Sequence, residues 1–428
     1  MVFDYILVVF SRFVARGGAF LTLAVLALAM SPTDVGEYGL LTVSVFFVAL
    51  LSNLGVRHAI GYSVGKKNIS ISSAFNKLAT FWVVMTVVIA VIFTLLSRLF
   101  EMYVVPEQYY IYFVVSVSSV LLVNLLQGLL LGQGDIKLFG LSEAAPRNIT
   151  LVIVLLLWGL DFISVKLAIS VFSISYLFSA LLIIRNIRVK DNVQYRPNFP
   201  SGEMFAYGFP FSLSVALVTA YPVIVLHYIE AKFSTGYVGY FFFAYKIVEI
   251  FSEISSSIGF VAFSKGVKKE TISDGMGYSI KIAKSIMYLM LLGSVVVLTA
   301  SLALEAFSDV NDEIVFDILA TLGLSLPFIG YSKTISPALA AQNKVYVSVL
   351  ANTIGVSVVV MLLYIFTPED LVDVSFIVLL GRFGAFLVFV KYLANDSRIS
   401  DLLIMSRGEI KTTINAAFNI WGKRSYRE

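Results

Sequence analysis

Long apolar runs set the terms for this chain. The stretch from Leu7 to Met30 is the first of about twelve such runs, and a helix needs ~20 predominantly apolar residues to cross the hydrocarbon core of a bilayer. The runs do not alternate in polarity as the strands of a membrane barrel would, so they predict helices. Only 14% of the residues are charged, against ~25% in a typical soluble domain, which is too few to cover a water-facing surface. No small-residue cleavage site follows the first run, and it is read as a retained span. The fold class is therefore an all-α polytopic membrane protein.

Hydropathy places spans near 7–29, 38–60, 75–97, 110–131, 141–160, 164–184, 205–229, 237–262, 280–304, 314–341, 345–366 and 371–394. The loops after even-numbered spans and the tail carry nearly all the flanking cations, among them Lys66, Lys67, Lys137, Arg185, Arg188, Lys265 and Lys344. The loops after odd-numbered spans carry only Arg98 and Lys232. The positive-inside rule then puts both termini in the cytoplasm; the expected location is the plasma membrane. The largest connection, "RNIRVKDNVQYRPNFPSGEM", divides the chain six spans plus six. The expected organisation is a six-helix bundle over 1–184, a basic linker over 185–204, a second bundle over 205–394, and a tail over 395–428. In the tail, Ile410, Ile414, Ala417, Phe418 and Trp421 share one helical face ahead of Lys423, Arg424 and Arg427, the pattern of a helix lying on the lipid surface. A weak repeat supports duplication: Gly36 and Gly39 open span two as Gly236 and Gly239 open span eight, and Gln133 and Gln342 close spans four and ten.

Charges inside spans are expensive and usually face a cavity or a partner. The candidate cations are Arg16, Arg57, Arg147, Lys246, Lys333 and Arg382; the candidate carboxylates are Glu143, Glu249, Glu253 and Asp317. Helical spacing allows local pairs within Lys246, Glu249 and Glu253, and between Glu143 and Arg147. Arg57, beside His58, reads either as an inner-end arginine snorkelling to the interface or as a phosphate contact at the entrance. Lys333 and Arg382 have no acidic neighbour at helical spacing. A cavity lined by these cations suits a polyanion, because arginine grips phosphate in a two-point fork and lysine acts as a point charge. Pro210, Pro222, Pro327 and Pro337 read as hinges or as static bends. The chain has no cysteine and two histidines, His58 and His227; thiol chemistry is excluded, and no metal, cofactor or nucleic-acid partner is expected. "GYSVGKK" lacks the spacing of a phosphate-binding loop, and no catalytic constellation is present.

The stretch "SRFVARGGAFLTLAVLALAMSPTDVGEYGLLTVSVFFVALLSNLGVRHAIGYSVGKK", with "LLLGQGDIKLFG" further on, resembles the Wzx-type polysaccharide-biosynthesis flippases of the multidrug/oligosaccharidyl-lipid/polysaccharide exporter (MOP) superfamily. The resemblance implies a MATE-like fold of two bundles around a central cavity, and alternating access. It also implies a polyprenyl-pyrophosphate-linked oligosaccharide as substrate, with proton or sodium coupling and polysaccharide-assembly proteins as partners. Glu249 and Asp317 are the candidate coupling carboxylates. A cation-coupled MATE-type exporter is the alternative, and a membrane polysaccharide polymerase or ligase the third reading.

Overall fold

A computed structural model describes residues 2–99, 106–191, 195–267, 272–307, 313–342, 344–394 and 402–404. The tail helix expected after residue 404 lies outside the described residues. Among the described residues the chain is helical and has no strand.

Eight expected spans are single long helices that are also apolar enough to cross a membrane. They are α1 (Val2–Ala29), α4 (Ile71–Leu99), α5 (Tyr110–Gln133), α6 (Ile136–Gly159), α7 (Val165–Asp191), α8 (Gly202–Lys232), α13 (Val345–Phe366) and α14 (Leu371–Ala394). A ninth, α10 (Ile272–Phe307), also qualifies. The helix α9 (Thr235–Val267) is long enough but carries Lys246, Glu249 and Glu253 along its middle, and it falls outside the apolar set.

Two spans are broken. Span two runs as α2 (Pro32–Ser52), then α3 (Val56–Gly65). The Ser31 hydroxyl caps α2 by accepting from the Asp34 amide at 3.2 Å. The break falls at Leu54 and Gly55, with φ of 46° and 83°, a region costly for any side chain. Gly55 also needs its missing side chain, since a Cβ there would lie 2.0 Å from the Gly208 backbone. The Asn53 side chain then accepts from the Arg57 amide at 2.9 Å and caps α3. Span ten splits into α11 (Glu313–Gly323) and α12 (Leu326–Ala341) with a 44° bend, and Pro327 opens the second piece, where its missing N–H is tolerated.

Helices α1 to α7 pack among themselves, as do α8 to α14, and the two groups meet along α1, α2 and α3 against α8 and α9. The seam is built on glycine. Gly36 and Gly39 of α2 face the start of α9: a Cβ at Gly36 would fall 2.0 Å from the Thr235 carbonyl, and one at Gly239 would fall 2.3 Å from the Pro32 carbonyl. The two Gly-x-x-Gly repeats are thus one contact. At this acidic end, Ser44 of α2 also shares a 3.3 Å hydrogen bond with His227 of α8. Toward the basic end, Tyr62 of α3 packs on Tyr207 of α8 at 4.6 Å.

Candidate functional site

Halfway along the seam, charges from both groups of helices converge. Arg16 of α1 donates through Nη1 to Glu249 Oε1 at 2.7 Å and through Nη2 to Glu253 Oε1 at 3.1 Å. Both carboxylates lie on α9, one turn apart. Lys246 donates to the second oxygen of Glu249 at 2.6 Å. Lys333 of α12 reaches Glu253 at 3.1 Å and the Ser252 hydroxyl at 2.8 Å. Close packing makes the last contact possible, because Gly259 of α9 leaves room for the α12 backbone at Lys333. The five side chains retain 14 to 25% exposure. A charge within a membrane span cannot face lipid cheaply, and each of the five is held against an oppositely charged partner instead. Three cations stand against two carboxylates, and the cluster carries one positive charge in excess.

The expected local pairing of Lys246, Glu249 and Glu253 is therefore only partly correct: Lys246 and Glu249 pair, but Glu253 turns to Arg16 and Lys333. The Glu143–Arg147 pair is replaced altogether. Glu143 accepts a two-point contact from Arg12, at 2.9 and 3.1 Å, because α1 and α6 pack face to face. Sequence reasoning missed Arg12, although it sits one turn before Arg16 on the same face of α1, a spacing that signals a basic stripe.

The remaining candidates lie apart. Arg57 donates to Asn124 of α5 at 3.3 Å. Its helix crosses α5 where Gly61 and Gly65 meet Gly128 and Gly132, and a Cβ at Gly128 would sit 2.3 Å from the Arg57 carbonyl. This small-residue packing fixes Arg57 against α5. His58, next to it, stacks on Phe211 of α8 at 5.4 Å, and its Nδ1 is buried without a partner among the described residues. Arg382 lies over the Tyr221 ring, 3.8 Å from its centre, a cation–π contact inside the second group of helices. Arg147 is half-buried and Asp317 is exposed on α11; neither joins the central cluster.

No protein-family model and no curated protein matches the chain. Solved structures do. The chain is similar to a multidrug resistance MATE family transporter of the MOP superfamily in its outward-facing conformation, at 17% identity and TM-score 0.67, covering 93% of this chain and 96% of that one. The inward-facing conformation of a MATE family transporter matches at 17% identity and TM-score 0.65, over 92% and 95%. The lipid II flippase MurJ, inward closed, matches at 16% identity and TM-score 0.69, over 94% and 89%. The chain has the MATE-like, MurJ-like helical fold and is a multi-pass membrane protein.

Proposed function

We propose that this protein is a Wzx-type flippase. It moves a polyprenyl-pyrophosphate-linked oligosaccharide from the cytoplasmic to the outer leaflet of the plasma membrane, by alternating access, for surface polysaccharide assembly. One observation carries the reading: Arg16, Lys246 and Lys333 outnumber Glu249 and Glu253 at the seam between the two groups of helices. A diphosphate crossing the bilayer needs such a positive excess. It competes with the two carboxylates for Arg16 and Lys333, and the guanidinium grips phosphate oxygens in the same two-point manner. Taking Arg16 from its partners loosens the tie across the seam and lets the halves rock. Glu249, then left with Lys246 alone, is the group placed to take up a proton or sodium ion. Asp317, exposed on α11, lacks that connection.

An exported organic cation fits less well. Glu249 is already matched by Arg16 and Lys246, and Glu253 by Arg16 and Lys333, so an incoming cation meets net repulsion.

The test is reconstituted flipping. Purified protein in liposomes receives a fluorescent polyprenyl-pyrophosphate oligosaccharide on one leaflet, and its arrival on the other is followed. Protein-dependent transfer is expected. Absence of transfer, alongside ion-driven uptake of an organic cation, would reassign the chain to the exporters.

A further inference from the structure

A second site lies outside the seam, on the outer surface of the first group of helices. A crevice of about 250 Å³ opens between α4, α5 and α7, with an apolar wall that includes Leu78, Trp82, Val83 and Leu122. Arg188 of α7 and Tyr195 of the segment leading to α8 stand at its rim. Trp82 is held rigid, since its indole N–H donates to the Ser118 carbonyl at 2.9 Å. The leading segment is strapped over the same edge: Lys77 donates to the Phe199 carbonyl at 3.0 Å, and the Asn198 amide donates to Thr80 at 3.1 Å.

Three features identify the occupant. First, α4 is the outermost of these helices, with only 17% of its apolar window buried, and Val83 and Val87 are half exposed or more. At membrane depth such a surface meets lipid chains. Second, the crevice lies within the first four turns of α4 from the basic end, a reach of about one leaflet. Third, Arg188 is exposed in the last turn of α7, with no carboxylate partner among the described residues; its contact there is the face of Phe75 at 5.7 Å.

We infer that this crevice is a binding site for an anionic phospholipid of the leaflet at the basic end: an acyl chain lies against Trp82 and Leu122, and the phosphate meets Arg188. Basic pockets between membrane helices on this side take anionic headgroups. Because Tyr195 and the strap to Lys77 and Thr80 form one edge, the lipid also steadies the connection between the two groups of helices.

Trp82 provides the readout. In a Trp158→Phe/Trp421→Phe variant it is the remaining tryptophan, and lipids with brominated acyl chains quench it on contact. In liposomes of unbrominated phosphatidylcholine, brominated phosphatidylglycerol is expected to quench at about fivefold lower mole fraction than brominated phosphatidylcholine. Arg188→Gln should erase that difference, and Arg188→Lys should keep most of it. Equal quenching by the two lipids, or a preference that survives Arg188→Gln, overturns the proposal. Displacement of the brominated lipid by unlabelled polyprenyl phosphate more readily than by phosphatidylglycerol would also overturn it, in favour of an isoprenoid site. Native mass spectrometry of the unmodified protein gives the same comparison without the tryptophan changes: retained phosphatidylglycerol is expected, and should fall in Arg188→Gln.

Discussion

Arg16 of α1 and Glu249 of α9 lie 233 positions apart in the chain and 2.7 Å apart in space. With Glu253, they form an ion-paired tie across the seam where the two groups of helices meet. Breaking a buried ion pair by removing one partner leaves a stranded charge, at a cost of ~3–5 kcal/mol.

Arg16→Ala is therefore expected to lower the thermal unfolding midpoint in detergent and to abolish flipping, because it removes both the tie and the proposed phosphate contact. Arg16→Lys should recover part of the stability, since a point charge satisfies one carboxylate, but not the two-point geometry. An unchanged midpoint in Arg16→Ala would show that the tie is energetically idle.

The seal at the acidic end gives a second prediction. A Cβ at Gly236 would lie in contact with the Thr33 hydroxyl, at 3.5 Å, which makes the two positions candidates for a cross-link between the groups of helices. The chain has no cysteine of its own. Oxidised Thr33→Cys/Gly236→Cys is expected to stop flipping, and reductant to restore it. Flipping at the normal rate in the cross-linked protein would rule out opening at this end.

A pair of glycine substitutions separates conformational strain from crowding. Gly134, with φ 72°, faces open space, and a Cβ added there would meet nothing within 4 Å, whereas Gly55, with φ 83°, abuts Gly208. Gly134→Ala should cost only the ~1–2 kcal/mol of the left-handed conformation. Gly55→Ala adds a backbone collision and should prevent accumulation of folded protein, read by size-exclusion chromatography of the detergent extract. Equal behaviour of the two variants would contradict this account of the break between α2 and α3.

Span positions were legible in the sequence because length and apolarity are properties of a continuous segment: α13 and α14 fall on the expected 345–366 and 371–394. The breaks were not, since Leu54 lies in the left-handed region only because α3 must turn to cross α5 and α8. The spacing of Gly61 and Gly65 against Gly128 and Gly132 was present in the sequence, but only their meeting gives it meaning. Charge pairing failed in the same way. Helical spacing sees neighbours on one helix, and so it joined Glu143 to Arg147, while α1 delivers Arg12 from 131 residues away. Lys333 of α12, with no acidic neighbour on its own helix, finds Glu253 on α9.

The central claim is that the positive excess at the seam carries a diphosphate. Its most direct test is flipping of the fluorescent polyprenyl-pyrophosphate oligosaccharide by Lys333→Met beside Lys333→Met/Glu253→Gln. The single change removes the excess and leaves Glu253 with Arg16 alone; the double change restores the excess, leaving two cations against one carboxylate. At least tenfold loss is expected in the single variant, and substantial recovery in the double. Full activity in the single variant, or equal loss in both with folded protein in each, would contradict it.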